Sequence, residues 1–103
     1  MIVTTTEEIS GQEYEVVGLV TGNTVRAKHL GNDIMSGLKS LVGGELRAYT
    51  DMLSEARTEA IERMIADARR LQADAVVNVR FSTAQTAPGA AEILAYGTAV
   101  RFR

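Results

Sequence analysis

The chain has 103 residues, 46% of them hydrophobic and 23% charged, and a formal charge of −2 from 11 basic and 13 acidic side chains. That balance excludes a general nucleic-acid binder, which needs a basic excess to release counterions, and it gives no electrostatic pull toward anionic membranes. Cysteine is absent, so disulfides and thiolate metal ligation are excluded outright. The length suits a single domain spanning 1–103, and the apolar content argues against disorder of the chain as a whole. The start, MIVTTTEEIS, has no basic segment followed by an apolar stretch, and the longest charge-free run, Phe81 to Ala91, is too short and polar to span a bilayer. A soluble, cytoplasmic protein is the expectation.

The β-branched start MIVTT reads as a short strand, and the polar stretch Glu7 to Gln12, holding Gly11, as a turn. YEVVGLVTG predicts a strand from Tyr14 to about Val20. Thr21, Gly22 and Asn23 read as a turn, because Gly and Asn accept positive φ cheaply, and TVRAK as the returning strand of a hairpin. His29 to Asp33 reads as a loop, with Asn32 or Asp33 capping a short amphipathic helix through Ile34, Met35, Leu38, Leu41 and Val42. Gly43-Gly44 is expected to end it. A phosphate cradle at the next helix start is disfavoured, since no nucleotide-loop pattern surrounds the pair and Glu45 puts a negative charge beside it.

The strongest periodic signal runs from Glu45 to Gln72. Leu46, Tyr49, Leu53, Ala56, Ala60, Met64, Ala68 and Leu71 recur at steps of three and four, which is one stripe on a helix, and Ile61 and Ile65 broaden it. Acidic Glu45 and Asp51 near the start and basic Arg69 and Arg70 near the end suit the helix dipole. Such a helix would be about 42 Å long. A compact domain of this size is roughly 33 Å across, so the helix is expected to overhang its own protomer and to be covered by a neighbouring subunit. After it, ADAVVNVRFST alternates, with Ala75, Val77, Val79 and Phe81 on one face and Asn78, Arg80 and Ser82 on the other. Pro88-Gly89 is a turn signal, and EILAYGTAVRF alternates again, so a second hairpin is expected. The fold class is therefore α+β: a small, mainly antiparallel sheet with one long helix packed on one face.

Candidate site residues are few. Arg57 falls close to the axis of the helical stripe, near Leu53, Ala60 and Met64; a guanidinium there cannot lose its proton and must be paired or reach water. It is read first as a structural bridge, across a subunit contact for example, and second as a clamp for an anion. Asn78 and Arg80 point outward on their strand, toward a polar groove or simply toward water. His29 is the only histidine; with Asp33 it offers two metal ligands where zinc takes three or four, and it has no nucleophile to serve as a base. Glu55, Glu59 and Glu62 read as a solvated helix face. No catalytic constellation is present.

The stretches GLVTGNTV, VGGELRAYTDMLSEARTEAIERM, ADAVVNVRF and YGTAV, in this order over nearly the whole chain, resemble the YbjQ-like family of small bacterial and archaeal proteins. The resemblance implies a β-α-β-β subunit similar to that of dodecins, assembled as a ring-shaped homopentamer. It also implies a heavy-metal-binding label that one histidine and no cysteine support weakly, and no catalytic residues to carry over. The expectation is a non-enzymatic homo-oligomer without a resident cofactor that binds a small ligand at subunit junctions. The alternatives are metal binding through ligands shared between subunits, and an enzyme whose Arg57 or Arg80 holds an anionic substrate.

Overall fold

The structure is a computed structural model and describes residues 1–27, 44–87 and 90–103. In chain order the elements are β1 (Ile2–Val3), β2 (Tyr14–Ala27), α1 (Gly44–Arg70), β3 (Ala75–Ala87) and β4 (Ala90–Phe102). They form one four-stranded sheet in the order β1-β3-β4-β2, with α1 on one face. The α+β class is as the sequence implies. The sheet is mixed rather than simply antiparallel, because β1 runs parallel to β3 while β2 and β3 both run antiparallel to β4.

Two expectations from the first half of the chain meet different fates. The turn around Gly11 is present: Gly11 has φ 71°, and the Gln12 N–H donates to the Ile9 carbonyl at 3.0 Å. The hairpin at Thr21-Gly22-Asn23 does not form. β2 runs straight through it, in unbroken register with β4 from Gly18 to Ala27. Gly22 is needed there for a different reason. A Cβ on it would fall 2.9 Å from the Arg63 carbonyl carbon, and closer still to the Ala60 carbonyl oxygen and the Met64 nitrogen. The glycine is where the helix backbone presses on the strand. Ala56, Ala60 and Ala68, all fully buried, line the helix side of the same approach. The buried Thr24 hydroxyl adds a bond to the Ala56 carbonyl at 3.3 Å.

The helix is present and ends about two residues before the predicted limit. Gln72 takes φ 59°, its N–H donates to the Arg69 carbonyl at 3.0 Å and the Ala73 N–H to the Ala68 carbonyl at 3.1 Å. That is a Schellman close, with glutamine where glycine is usual. Arg101 of β4 donates to the Leu71 and Gln72 carbonyls at 2.9 and 3.2 Å, which satisfies groups a helix end otherwise leaves to water.

The helix does not overhang its own protomer. The molecule measures 52 × 22 × 16 Å, with a radius of gyration of 16.5 Å against about 13 Å for a compact chain of this length. The strands are as long as the helix and run beneath it. Most of the stripe is buried on the protomer's own sheet, Ala56, Ala60, Met64 and Ala68 completely; Leu46 and Leu71 at the two ends stay exposed.

The second hairpin is present as β3 and β4. The simple alternation expected for β3 is broken, because Asn78 adopts φ 55° and the register with β4 shifts between Val77 and Arg80. This bulge puts Val76 and Val79, three apart, into the helix-side core, with Ala75 and Val77 in a small cluster apart from it. Phe81 pairs with Ala95 and so shares the helix side of the sheet. Opposite the bulge stands Gly97, where a Cβ would meet Val76 Cγ1 at 2.8 Å. The main core is Val20, Ala56, Ala60, Met64, Val76, Ile93, Ala95 and Ala99 with their neighbours. His29, Asp33, the cap at Asn32, the short helix through Ile34 to Val42, Gly43 and the Pro88-Gly89 turn all lie outside the described residues.

Candidate functional site

Helix α1 lies over β2 and β4 and barely reaches β3. Between α1 and β3 the described residues leave a groove of about 350 Å³, lined by Tyr49, Leu53 and Arg57 from the helix, Thr83, Ala84 and Gln85 from β3, and Ala91 and Ile93 from β4. The placement follows from helix geometry. Tyr49, Leu53 and Arg57 are four apart and stack on one flank, so they line one wall together. Across the sheet, Thr83 pairs with Ile93 and Gln85 with Ala91, which fixes all four side chains on the helix side.

The groove has an apolar floor and a polar rim. Ile93 and Tyr49 are buried, and burial raises the Tyr49 phenol above its usual pKa, so the hydroxyl stays protonated at neutral pH. Arg57 is exposed, off the axis where simple helical arithmetic puts it, and its Nη2 donates to the Ser54 hydroxyl at 3.2 Å. Among the described residues it forms no ion pair, whereas Arg26, Arg63, Arg70 and Arg101 each meet a carboxylate. A permanently charged planar guanidinium at the rim of a groove, with donors left over after the Ser54 bond, is suited to a carboxylate or phosphate oxygen pair. Thr83 and Gln85 add neutral donors and acceptors on the facing wall.

The other sequence candidates are not brought together with Arg57. The Arg80 guanidinium donates to the Thr5 and Val79 carbonyls, both at 2.9 Å, and so fastens the N-terminal segment to β3. Asn78 serves the same junction: its backbone N–H donates to the Thr6 carbonyl at 3.1 Å, and its left-handed conformation makes the bulge. Glu59, expected on a solvated face, is instead half-buried and accepts from both Arg26 and Arg63. Sequence reasoning does not single out Tyr49, Thr83 and Gln85 as site residues; the alternate polar residues on an otherwise small-residue strand are the available signal. A second, wider hollow of about 910 Å³ lies over Glu7, Glu8, Glu13 and Arg103 and is open to water.

Among the described residues that line the groove, no nucleophile and base face each other. Among the described residues no three His, Cys, Asp or Glu side chains gather where a cation would sit, and no helix is long and apolar enough to cross a membrane.

The whole chain, residues 1–103, matches the YbjQ family model, whose description reads "Putative heavy-metal-binding". It is 62% identical over 104 residues to a UPF0145 protein of Archaeoglobus fulgidus, covering 100% of this chain and 96% of that one. It is 67% identical over 103 residues to a UPF0145 protein of Methanoculleus marisnigri, covering 99% and 96%, and 58% identical over 104 residues to one of Psychromonas ingrahamii, covering 100% and 99%. Among solved structures, a protein with unknown function of the DUF74 family from Pediococcus pentosaceus superposes with a TM-score of 0.70 at 18% identity, covering 100% of this chain and 98% of that one. At that identity the likeness speaks for the fold alone.

Proposed function

Because this chain belongs to the YbjQ-like (UPF0145) family, found in bacteria and archaea, we propose that it works as a non-enzymatic homo-oligomer, a pentameric ring, that binds a small ligand where subunits meet. The observation that carries this reading is the sheet face turned away from α1. Leu19 is 72% exposed, Val25 56% and Tyr96 36%, and they stand on two neighbouring strands; a monomer in water gains nothing from that arrangement, and a second copy covers it. The groove beside Arg57 is the ligand site of this reading. Arg57 takes an anionic group of the ligand, while Tyr49, Leu53 and Ile93 receive its apolar part.

Native mass spectrometry on protein purified without added ligand tests both halves. The expected mass is about 55 kDa, five copies of an 11.1 kDa chain, with a small adduct that Arg57→Met loses. A species of one chain at micromolar concentration overturns the assembly, and an intact ring whose ligand occupancy ignores Arg57→Met overturns the site. The family description favours a second reading, a metal held by ligands shared between subunits. Elemental analysis of untagged protein separates the two: metal far below one equivalent per ring, with no uptake on titration, removes it.

A further inference from the structure

The Arg57 groove has a direction, and its charge is sparse. Thr24 of β2 pairs with Ile93 of β4, and Ile93 with Thr83 of β3. The Thr24 hydroxyl donates to the Ala56 carbonyl, so Arg57, the next residue, stands level with Ile93 and Thr83. Further along α1, the Arg63 guanidinium donates to the Asn23 carbonyl and the Asp67 carboxylate accepts from the Thr21 N–H. The helix therefore runs opposite to β2 and in the same direction as β4. Tyr49 then lies toward the tip of the β3–β4 hairpin, where Gln85 pairs with Ala91, about 12 Å from Arg57 along the helix. One end of the groove thus holds a guanidinium and a hydroxyl, and its floor beyond them is Leu53, Ile93, Ala91 and Tyr49.

Arg57 is the single charged side chain among the described residues that line it. No carboxylate stands there to answer the charge, and the Tyr49 phenol, its pKa raised by burial, adds none at neutral pH. Arg26 and Arg80 are committed elsewhere, to Glu59 and to the Thr5 and Val79 carbonyls. A phosphate monoester carries about two negative charges at neutral pH and is commonly met by several backbone N–H groups at a helix start. Here α1 presents its flank instead. Tyr49, Leu53 and Arg57 lie beyond the first turn of a helix that begins at Gly44, where the N–H groups are already bonded within the helix. One guanidinium among neutral neighbours matches one negative charge.

We infer that the groove takes a small monocarboxylate with an apolar tail, its carboxylate between Arg57 and Thr83 and its tail lying over Leu53 and Ile93 toward Tyr49. The inference rests on the ligand-site reading above and narrows it from any anion to one chemical class. A carboxylate offers two coplanar oxygens to the guanidinium fork, and the Thr83 hydroxyl has a hydrogen to donate to either. The tail replaces water over apolar side chains, so affinity grows with its length until the Tyr49 end is reached.

An NMR titration read amide by amide, with butyrate, hexanoate, octanoate, octyl phosphate and octan-1-ol as probes, tests this. Octanoate should shift the amides of Leu53, Arg57, Thr83 and Ile93, and each methylene from butyrate to octanoate should tighten binding about two- to fourfold. Octyl phosphate should bind about tenfold more weakly than octanoate, because its second charge finds no partner. Arg57→Met should weaken octanoate about tenfold or more and leave octan-1-ol unchanged, with the circular dichroism intact. Thr83→Val, nearly the same shape, should weaken octanoate about threefold. Arg69→Met, which removes a charge near the far end of α1, should leave octanoate binding as it was. Octyl phosphate binding as tightly as octanoate, with the same dependence on Arg57, overturns the carboxylate class and leaves the anion site standing. Equal affinities for butyrate and octanoate overturn the tail. Shifts confined to the opposite sheet face at Leu19 and Tyr96, or an Arg69→Met loss equal to that of Arg57→Met, overturn the inference as a whole. If no probe binds while the native adduct is still lost in Arg57→Met, the monocarboxylate class alone fails; if no probe binds and no such adduct exists, the ligand-site reading fails with it.

Discussion

Two halves of one sheet behave as if they belonged to different proteins. Under α1, the residues Val20, Gly22, Thr24, Ile93, Ala95 and Ala99 are buried, and the helix touches the strand backbone through a glycine and a row of alanines. Beyond α1, β3 from Arg80 to Ala87 is exposed throughout, although its pairing with β4 continues to the end of the strand. The difference lies in side-chain size. Small residues let helix and strand approach closely over β2, whereas the helix barely reaches β3, and among the described residues nothing else covers that strand from Arg80 to Ala87.

Substitutions can sharpen or break that contrast, read as urea unfolding of the protomer at high dilution. Met64 is fully buried on the sheet-facing side of the helix, and Met64→Ala should cost about 2–5 kcal/mol through lost burial and the cavity left behind. Gly22→Ala should cost about 1–3 kcal/mol, toward the upper end because the new methyl meets main chain that cannot rotate aside. Phe81→Ser, the most drastic apolar loss on the bare stretch, should change protomer stability by less than about 0.5 kcal/mol. A cost for Phe81→Ser as large as that of Gly22→Ala would erase the distinction between the halves, and a neutral Gly22→Ala would show that the helix does not press on the strand at that point.

What is legible in the sequence divides along the same line. Periodicity finds the long helix and its buried stripe, because steps of three and four sustained over so many residues fit a helix and no strand. The β3–β4 hairpin is equally plain. Gly22 misleads because a glycine-asparagine pair looks the same whether it turns the chain or admits a helix, and what decides between them is a helix some forty residues further on. The bulge is hidden for a similar reason: Asn78 tolerates a left-handed conformation, but nothing local says that it must adopt one. Angle alone places Arg57 on the stripe, yet the helix is rotated so that the alanines face the sheet and Arg57 stands at the groove's rim. Tyr49 reads as core, which it is, and its second role as groove floor needs Ile93 and Thr83 beside it. Arg80 shows the reverse: outward alternation gives its direction, but its partners are carbonyls of Thr5 and Val79 and not a ligand.

The kink at Asn78 carries a consequence for how such a chain can change. Side chains along a strand alternate, so the single extra residue sets the phase of everything from Val79 to the hairpin tip. Val77 pairs with Thr98 and Arg80 with Tyr96, so removing Asn78 would let Val79 meet Gly97 and would leave Phe81, Thr83 and Gln85 facing the groove. Flattening the kink with Asn78 kept in the strand would do the reverse: those three would swing to the opposite side, and Ser82 and Ala84 would take their places. A lineage could thus exchange the lining of this groove wholesale by losing the kink and keeping the residue that makes it.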